Sequence, residues 1–149
     1  MVPSAVSLIA MIIVSRSSDR RNERYLHATI SLLIAAAALY VVGTMATLPG
    51  RIALWSAVAS GLACYLGPFW ACPGDFLSGR SAACALAFIN SFGSLGSFFS
   101  LSIIGSIAQR TGNPEGGFQA VAVALALAAA LMLAQKLYPP KITAPATAA

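Results

Sequence analysis

Charge is what this sequence has least of: 13 of its 149 residues are Asp, Glu, Lys or Arg, 9% of the chain, against 58% hydrophobic residues. A soluble domain carries roughly a quarter charged residues. A surface facing water cannot be built from so few charges, so the surroundings of most of this chain are lipid or other apolar protein. Mean hydropathy is +0.81, in keeping with that reading. Histidine is nearly absent: His27 stands alone, directly after a basic stretch, with no acid or nucleophile at a spacing that would make it a general base. No grouping of nucleophile, base and orienting residue occurs, which argues against an enzyme. Cysteine is sparse as well. Cys64, Cys72 and Cys84 form an odd set without a C-x-x-C pair, all in or beside apolar runs, so buried thiols are expected rather than a disulfide framework or a metal site. Nothing in the sequence calls for a cofactor.

The net charge of +5 could suggest nucleic acid. A nucleic-acid surface would spread its basic residues over one folded face with aromatics between them. Here they gather in short gaps between apolar runs, the distribution of the positive-inside rule.

Those runs set the layout. Residues 1–14 are apolar apart from Ser4 and Ser7, but about 14 residues at 1.5 Å rise reach only about 21 Å, short of the roughly 30 Å hydrocarbon core. The charges follow this stretch and no cleavage pattern accompanies it, so it reads as the end of a helix and not as a signal peptide. Residues 15–27 hold the dense cluster Arg16-Ser17-Ser18-Asp19-Arg20-Arg21-Asn22-Glu23-Arg24 and are expected to form a loop outside the lipid. Spans are predicted over 28–48, closed by the turn pair Pro49-Gly50, then over 52–77, 81–108 and 118–137. Pro68 and Pro73 interrupt the third segment, and 138–149 is a short Ala/Thr/Pro-rich tail, expected to be disordered and cytoplasmic. The fold class is therefore an all-α integral membrane protein with one partial and four complete spans, since a chain in lipid must satisfy its backbone internally. With the first loop inside, that side holds Arg16, Arg20, Arg21, Arg24, Arg80, Lys136 and Lys141, and the other only Arg51 and Arg110. Seven against two places the C-terminus in the cytoplasm.

The loop Ser18-Asp19-Arg20-x-x-Glu23-Arg24-x-x-His27 resembles the motif that major facilitator superfamily transporters carry between helices 2 and 3 and repeat between helices 8 and 9. The stretches Pro68-Phe69-Trp70-Ala71-Cys72-Pro73, Phe76–Ala83 and Ala87-Phe88-Ile89-Asn90-Ser91-Phe92-Gly93-Ser94-Leu95-Gly96 look like helices 10 and 11 of its anion:cation symporter family, which includes tartrate- and phthalate-type permeases. Asn22 departs from the loop motif, which usually has Gly there. The resemblance implies that the five segments match helix 8 (its end) through helix 12, in a bacterial inner membrane. It further implies a secondary carrier of a small organic anion such as a carboxylate or sugar acid, coupled to a proton or cation. On this reading the chain is a truncated C-terminal portion, inactive alone, whose partners are the lipid bilayer and the missing N-terminal helices or a split partner.

The resemblance also implies that Trp70 and Asn90, with their neighbours Phe69 and Ser94, face the substrate. Trp70 and Asn90 lie about ten residues either side of the Gly79-Arg80 turn, about 15 Å deep if both segments are helical, and transporter sites sit near the midplane beside interrupted helices. An Asn amide can serve a carboxylate or a hydroxyl. Packing is the competing role for each. Asn90, Gly93, Ser94, Gly96, Ser97 and Ser100 put small or polar groups at helical spacing, the pattern of a close helix–helix contact. Asp19, Arg20, Glu23 and Arg24 read as a salt-bridged structural loop. No acid lies deep in a span, Asp75 being about 8 Å from the turn, so no buried carboxylate is at hand for proton coupling. Two other readings remain: a small free-standing carrier that oligomerises, as four-helix multidrug exporters do, or a non-transporting membrane scaffold. Those exporters place an acid in their first helix, and this chain has none there.

Overall fold

The computed structural model describes residues 2–21, 23–72 and 79–138. Among them the chain forms five helices: α1 (Val2–Arg21), α2 (Arg24–Val42), α3 (Leu48–Ala71), α4 (Gly79–Thr111) and α5 (Glu115–Leu137). The last four are long and apolar enough to cross a membrane. At 1.5 Å per residue α2, the shortest of these with 19 residues, spans about 28 Å, close to the hydrocarbon thickness.

α2 is the centre of the bundle because it is apolar and small-sided on most of its circumference. Ala28, Leu32, Ala35, Leu39 and Val42 recur at alternating steps of four and three and are all buried, and Thr29, Ser31, Ala36 and Ala38 are buried beside them. One side packs on α3 and another on α5, while α1 packs on α3. Toward the basic end, Ala28, Leu32, Cys72, Ala129 and Met132 form one core cluster. Toward the other, Ala38, Leu39, Val42, Val58 and Ala122 form a second, beside which Trp55 meets Phe118 edge-on at 5.7 Å. α2 and α3 come close because Gly61 lacks a side chain: a Cβ there would lie 2.6 Å from the Ser31 carbonyl oxygen and 2.9 Å from Ala35 Cβ.

Helix ends differ from the sequence expectation. The helix expected to end at 14 continues to Arg21, so much of the expected loop 15–27 is helical. Basic residues in a last turn favour a helix C-terminus, and Arg20 and Arg21 occupy that turn. α2 ends at Val42, before the expected 48, and Pro49-Gly50 open α3 instead of closing a span. A proline in the first turn removes only a donor that has no helical acceptor. α3 continues through the buried Pro68 to Ala71, and the Cys72 thiol donates to the Pro68 carbonyl at 3.2 Å. Pro73, Asp75, Asn22 and the tail from 139 lie outside the described residues. Cys64 and Cys72 are buried as expected, but Cys84 is exposed on α4.

α4 is the exception to the bundle. It packs on α5, where Gly117 lets the Ile104 backbone approach: a Cβ at Gly117 would lie 2.7 Å from Ile104 Cα. None of its residues is buried, and Phe88, Phe92, Leu95, Phe98 and Phe99 all point outward. The close packing expected at its small residues is not made among the described residues. Nothing lies within 4 Å of a Cβ built at Gly93, Gly96 or Gly105.

Candidate functional site

α3 and α4 are separated near the basic end by a groove of about 500 Å³. Its lining divides by chemistry. Tyr65, Leu66, Phe69 and Trp70 come from α3, and Ile89, Asn90, Gly93, Ser94 and Ser97 from α4. The four residues singled out from the sequence, Phe69, Trp70, Asn90 and Ser94, therefore meet in one cavity. Helical spacing assembles each wall: Tyr65 and Phe69 are four apart, and Asn90, Gly93, Ser94 and Ser97 fall within two turns of one face.

The α3 wall is a set of rings. Tyr65 and Phe69 have centroids 5.6 Å apart, and Phe69 and Trp70 pack edge-on at 5.4 Å, each within the range of favourable aromatic pairs. The α4 wall is polar and uncharged. The Ser94 hydroxyl donates to the Asn90 carbonyl at 3.0 Å and the Ser97 hydroxyl to the Gly93 carbonyl at 3.0 Å. Both serine protons are thus committed to the backbone, leaving oxygen lone pairs toward the groove. The exposed Asn90 amide makes no hydrogen bond among the described residues, so its two donors and its acceptor are available. No ionisable residue other than Tyr65 lines the groove among the described residues. What the two walls can do is stack against a flat or C–H-rich face and hydrogen-bond a polar edge.

Tyr65 and Ser97 were missed as groove residues. The spacing Tyr65-x-x-x-Phe69 could have revealed the first, whereas Ser97, one turn beyond Ser94, reads from the sequence as part of a helix-packing or sliding face. Trp70 lies in the last turn of α3 and Asn90 is 11 residues into α4, about 17 Å along it; residues 73–78 between the two helices lie outside the described residues.

At the basic end the motif residues do separate things. Glu23 accepts from Lys136 Nζ at 3.4 Å, joining the α1–α2 junction to the end of α5. Both side chains are over a third exposed, so this bridge is worth about 0–1 kcal/mol. His27 Nδ1 lies 2.8 Å from the Glu23 carbonyl. A carbonyl only accepts, so that nitrogen carries a proton; in the neutral ring Nε2 then accepts the Ser17 hydroxyl 3.2 Å away. Asp19 and Arg20 are exposed on α1, and Arg24 is half-buried at the start of α2. Among the described residues no group of His, Cys, Asp and Glu could hold a metal.

No family model matches the chain, and no solved structure matches it. Curated proteins do. Two proteins of Agrobacterium vitis named as tartrate transporters are 41% and 38% identical to it over 133 residues, which is 89% of this chain but 29% and 30% of theirs. A quinolone resistance transporter of Acinetobacter baumannii is 33% identical over 83% of this chain and 29% of its own length. The chain thus spans about three-tenths of the relatives it matches. Its relatives are transporters and not enzymes, its helices α2 to α5 are of membrane-spanning length, and the chain belongs to their family of major facilitator-type membrane transporters.

Proposed function

We propose that the chain forms part of a secondary active carrier of a small organic anion, a carboxylate or sugar acid, coupled to a proton or cation. In this reading it supplies helices 8 (its end) to 12 of a bacterial inner-membrane transporter, with its C-terminus in the cytoplasm. The groove between α3 and α4 is the observation that carries it. Asn90 presents an unused amide there, opposite Phe69 and Trp70, as expected of a surface that binds a hydroxylated or carboxylated ligand. Among the described residues the lining carries no charge, so in this reading the cations balancing the anion come from elsewhere in the full transporter. Alternating access rocks two halves around a midplane site, so the chain by itself carries out no transport.

A chimera tests this. The segment of an Agrobacterium vitis relative that matches this chain is replaced by the chain, and tartrate uptake into vesicles is measured. The chimera is expected to take up tartrate, and Asn90→Ala to raise its KM about ten- to a hundredfold at unchanged membrane abundance, because a hydrogen bond to a charged group is worth roughly 1.5–3 kcal/mol. If Asn90 only bridges helices, at about 0.6 kcal/mol, KM stays put and abundance falls, which removes Asn90 from the site.

A further inference from the structure

At the end of α1 the side chains of Arg16, Arg20 and Arg21 surround a second cavity, of about 450 Å³, together with Ser17 and Ile13. Arg16 and Arg20 are four residues apart, so their guanidinium groups share a face, one turn above Ile13. None of the three arginines is in an ion pair among the described residues. The nearby acids do not relieve them: Glu23 is engaged by Lys136, and Asp19 is exposed on α1 without lining the cavity. Ser17 turns its hydroxyl to His27. Three cations therefore converge on one space with no anion supplied by the described residues. Below them the surface changes character. Ile9 and Ile13 are each 62% exposed on the same face, so the cationic cavity continues directly into an apolar strip along α1.

We propose that this is a binding site for an anionic phospholipid, the phosphate held by Arg16, Arg20 and Arg21 and an acyl chain lying on Ile13 and Ile9. Guanidinium forks match phosphate oxygens in shape and charge, and basic residues next to a span attract anionic headgroups. A free phosphate would satisfy the arginines equally. It would make no use of the apolar strip, and this joint arrangement selects the lipid.

The full chain, purified in a neutral detergent, is titrated with phosphatidylglycerol and with phosphatidylcholine of the same acyl chains, and retained lipid is counted by native mass spectrometry; sodium phosphate forms a third arm. Phosphatidylglycerol is expected to be retained about tenfold or more over phosphatidylcholine. Arg16→Gln, Arg20→Gln and Arg21→Gln should each lower that retention about fivefold, and Ile13→Ser should lower it without changing any competition by phosphate. Arg110→Gln, on the far end of α4, should leave it unchanged. Equal retention of the two lipids by the unmodified chain overturns the proposal whatever the variants do. So does an equal loss in Arg110→Gln, which would mean that net charge suffices. Displacement of the lipid by phosphate at matching concentration overturns it too, and would assign a free-anion site.

Discussion

Gly61 shows how one missing side chain sets the spacing of two spans. Alanine favours a helix over glycine by about 1 kcal/mol, but its Cβ would meet the Ser31 carbonyl at 2.6 Å, a backbone atom that only a helix shift can move. Overpacking costs about 1–3 kcal/mol, so the clash wins: Gly61→Ala should lower the thermal unfolding midpoint of the chain in detergent, and an unchanged or raised midpoint would show that α2 and α3 separate freely. The sequence did not reveal this contact, because nothing in a run of apolar residues says which glycine faces a neighbour. The groove was more legible. Phe69, Trp70, Asn90 and Ser94 were all picked out, on family resemblance, and they line one cavity. Tyr65 was overlooked because a tyrosine within a span looks like packing until the ring it stacks on is seen facing a space.

Hydropathy located the helices better than it located their ends, for a physical reason. It records where lipid can surround the chain, whereas a helix continues wherever its backbone stays bonded. Arg16 to Arg21 are too polar for lipid yet extend α1, and Pro49 begins α3 where a turn was expected. Element-level packing was harder still. The small residues of α4 promised a close helix contact, but Gly93 and Gly96 meet nothing within 4 Å while Gly117 on α5 abuts Ile104. Opposite outcomes follow for the same substitution. In the chain alone, Gly93→Ala and Gly96→Ala should be neutral or stabilising by up to about 1 kcal/mol, whereas Gly117→Ala should destabilise by about 1–3 kcal/mol. Thermal unfolding in detergent reads both. Destabilisation by Gly93→Ala would mean that α4 packs by this face, within the chain or against a second copy.

At the scale of the whole molecule, the basic residues collect at one end. Alternation of four spans brings the start of α2, the end of α3, the start of α4 and the end of α5 together, and with them Arg16, Arg20, Arg21, Arg24, Arg80 and Lys136; the Glu23–Lys136 bridge ties two of these ends at 3.4 Å. Arg51 and Arg110 lie toward the other, where Arg51 Nε donates to the Met45 carbonyl. Each added arginine or lysine near a short loop biases that loop toward the cytoplasm, and the bias here runs one way along every helix. Reporter fusions after Arg21 and after Tyr138 should therefore both report the cytoplasm, and one placed between residues 112 and 117 the opposite side. The result is sensitive to the number of spans, because losing one reverses every later fusion. A fusion after Tyr138 that reports the far side, with the one after Arg21 still cytoplasmic, would mean that one of α2 to α5 fails to cross. α4 is the span to suspect first: at 33 residues, about 50 Å, it exceeds the hydrocarbon core, and it is the least supported by its neighbours. Replacing Arg51 and Arg110 with glutamine should leave the pattern intact, since they oppose the majority. Replacing Arg16, Arg20, Arg21 and Arg24 together should weaken it, and a pattern that survives this change would place the orienting force in the apolar spans instead of the charges.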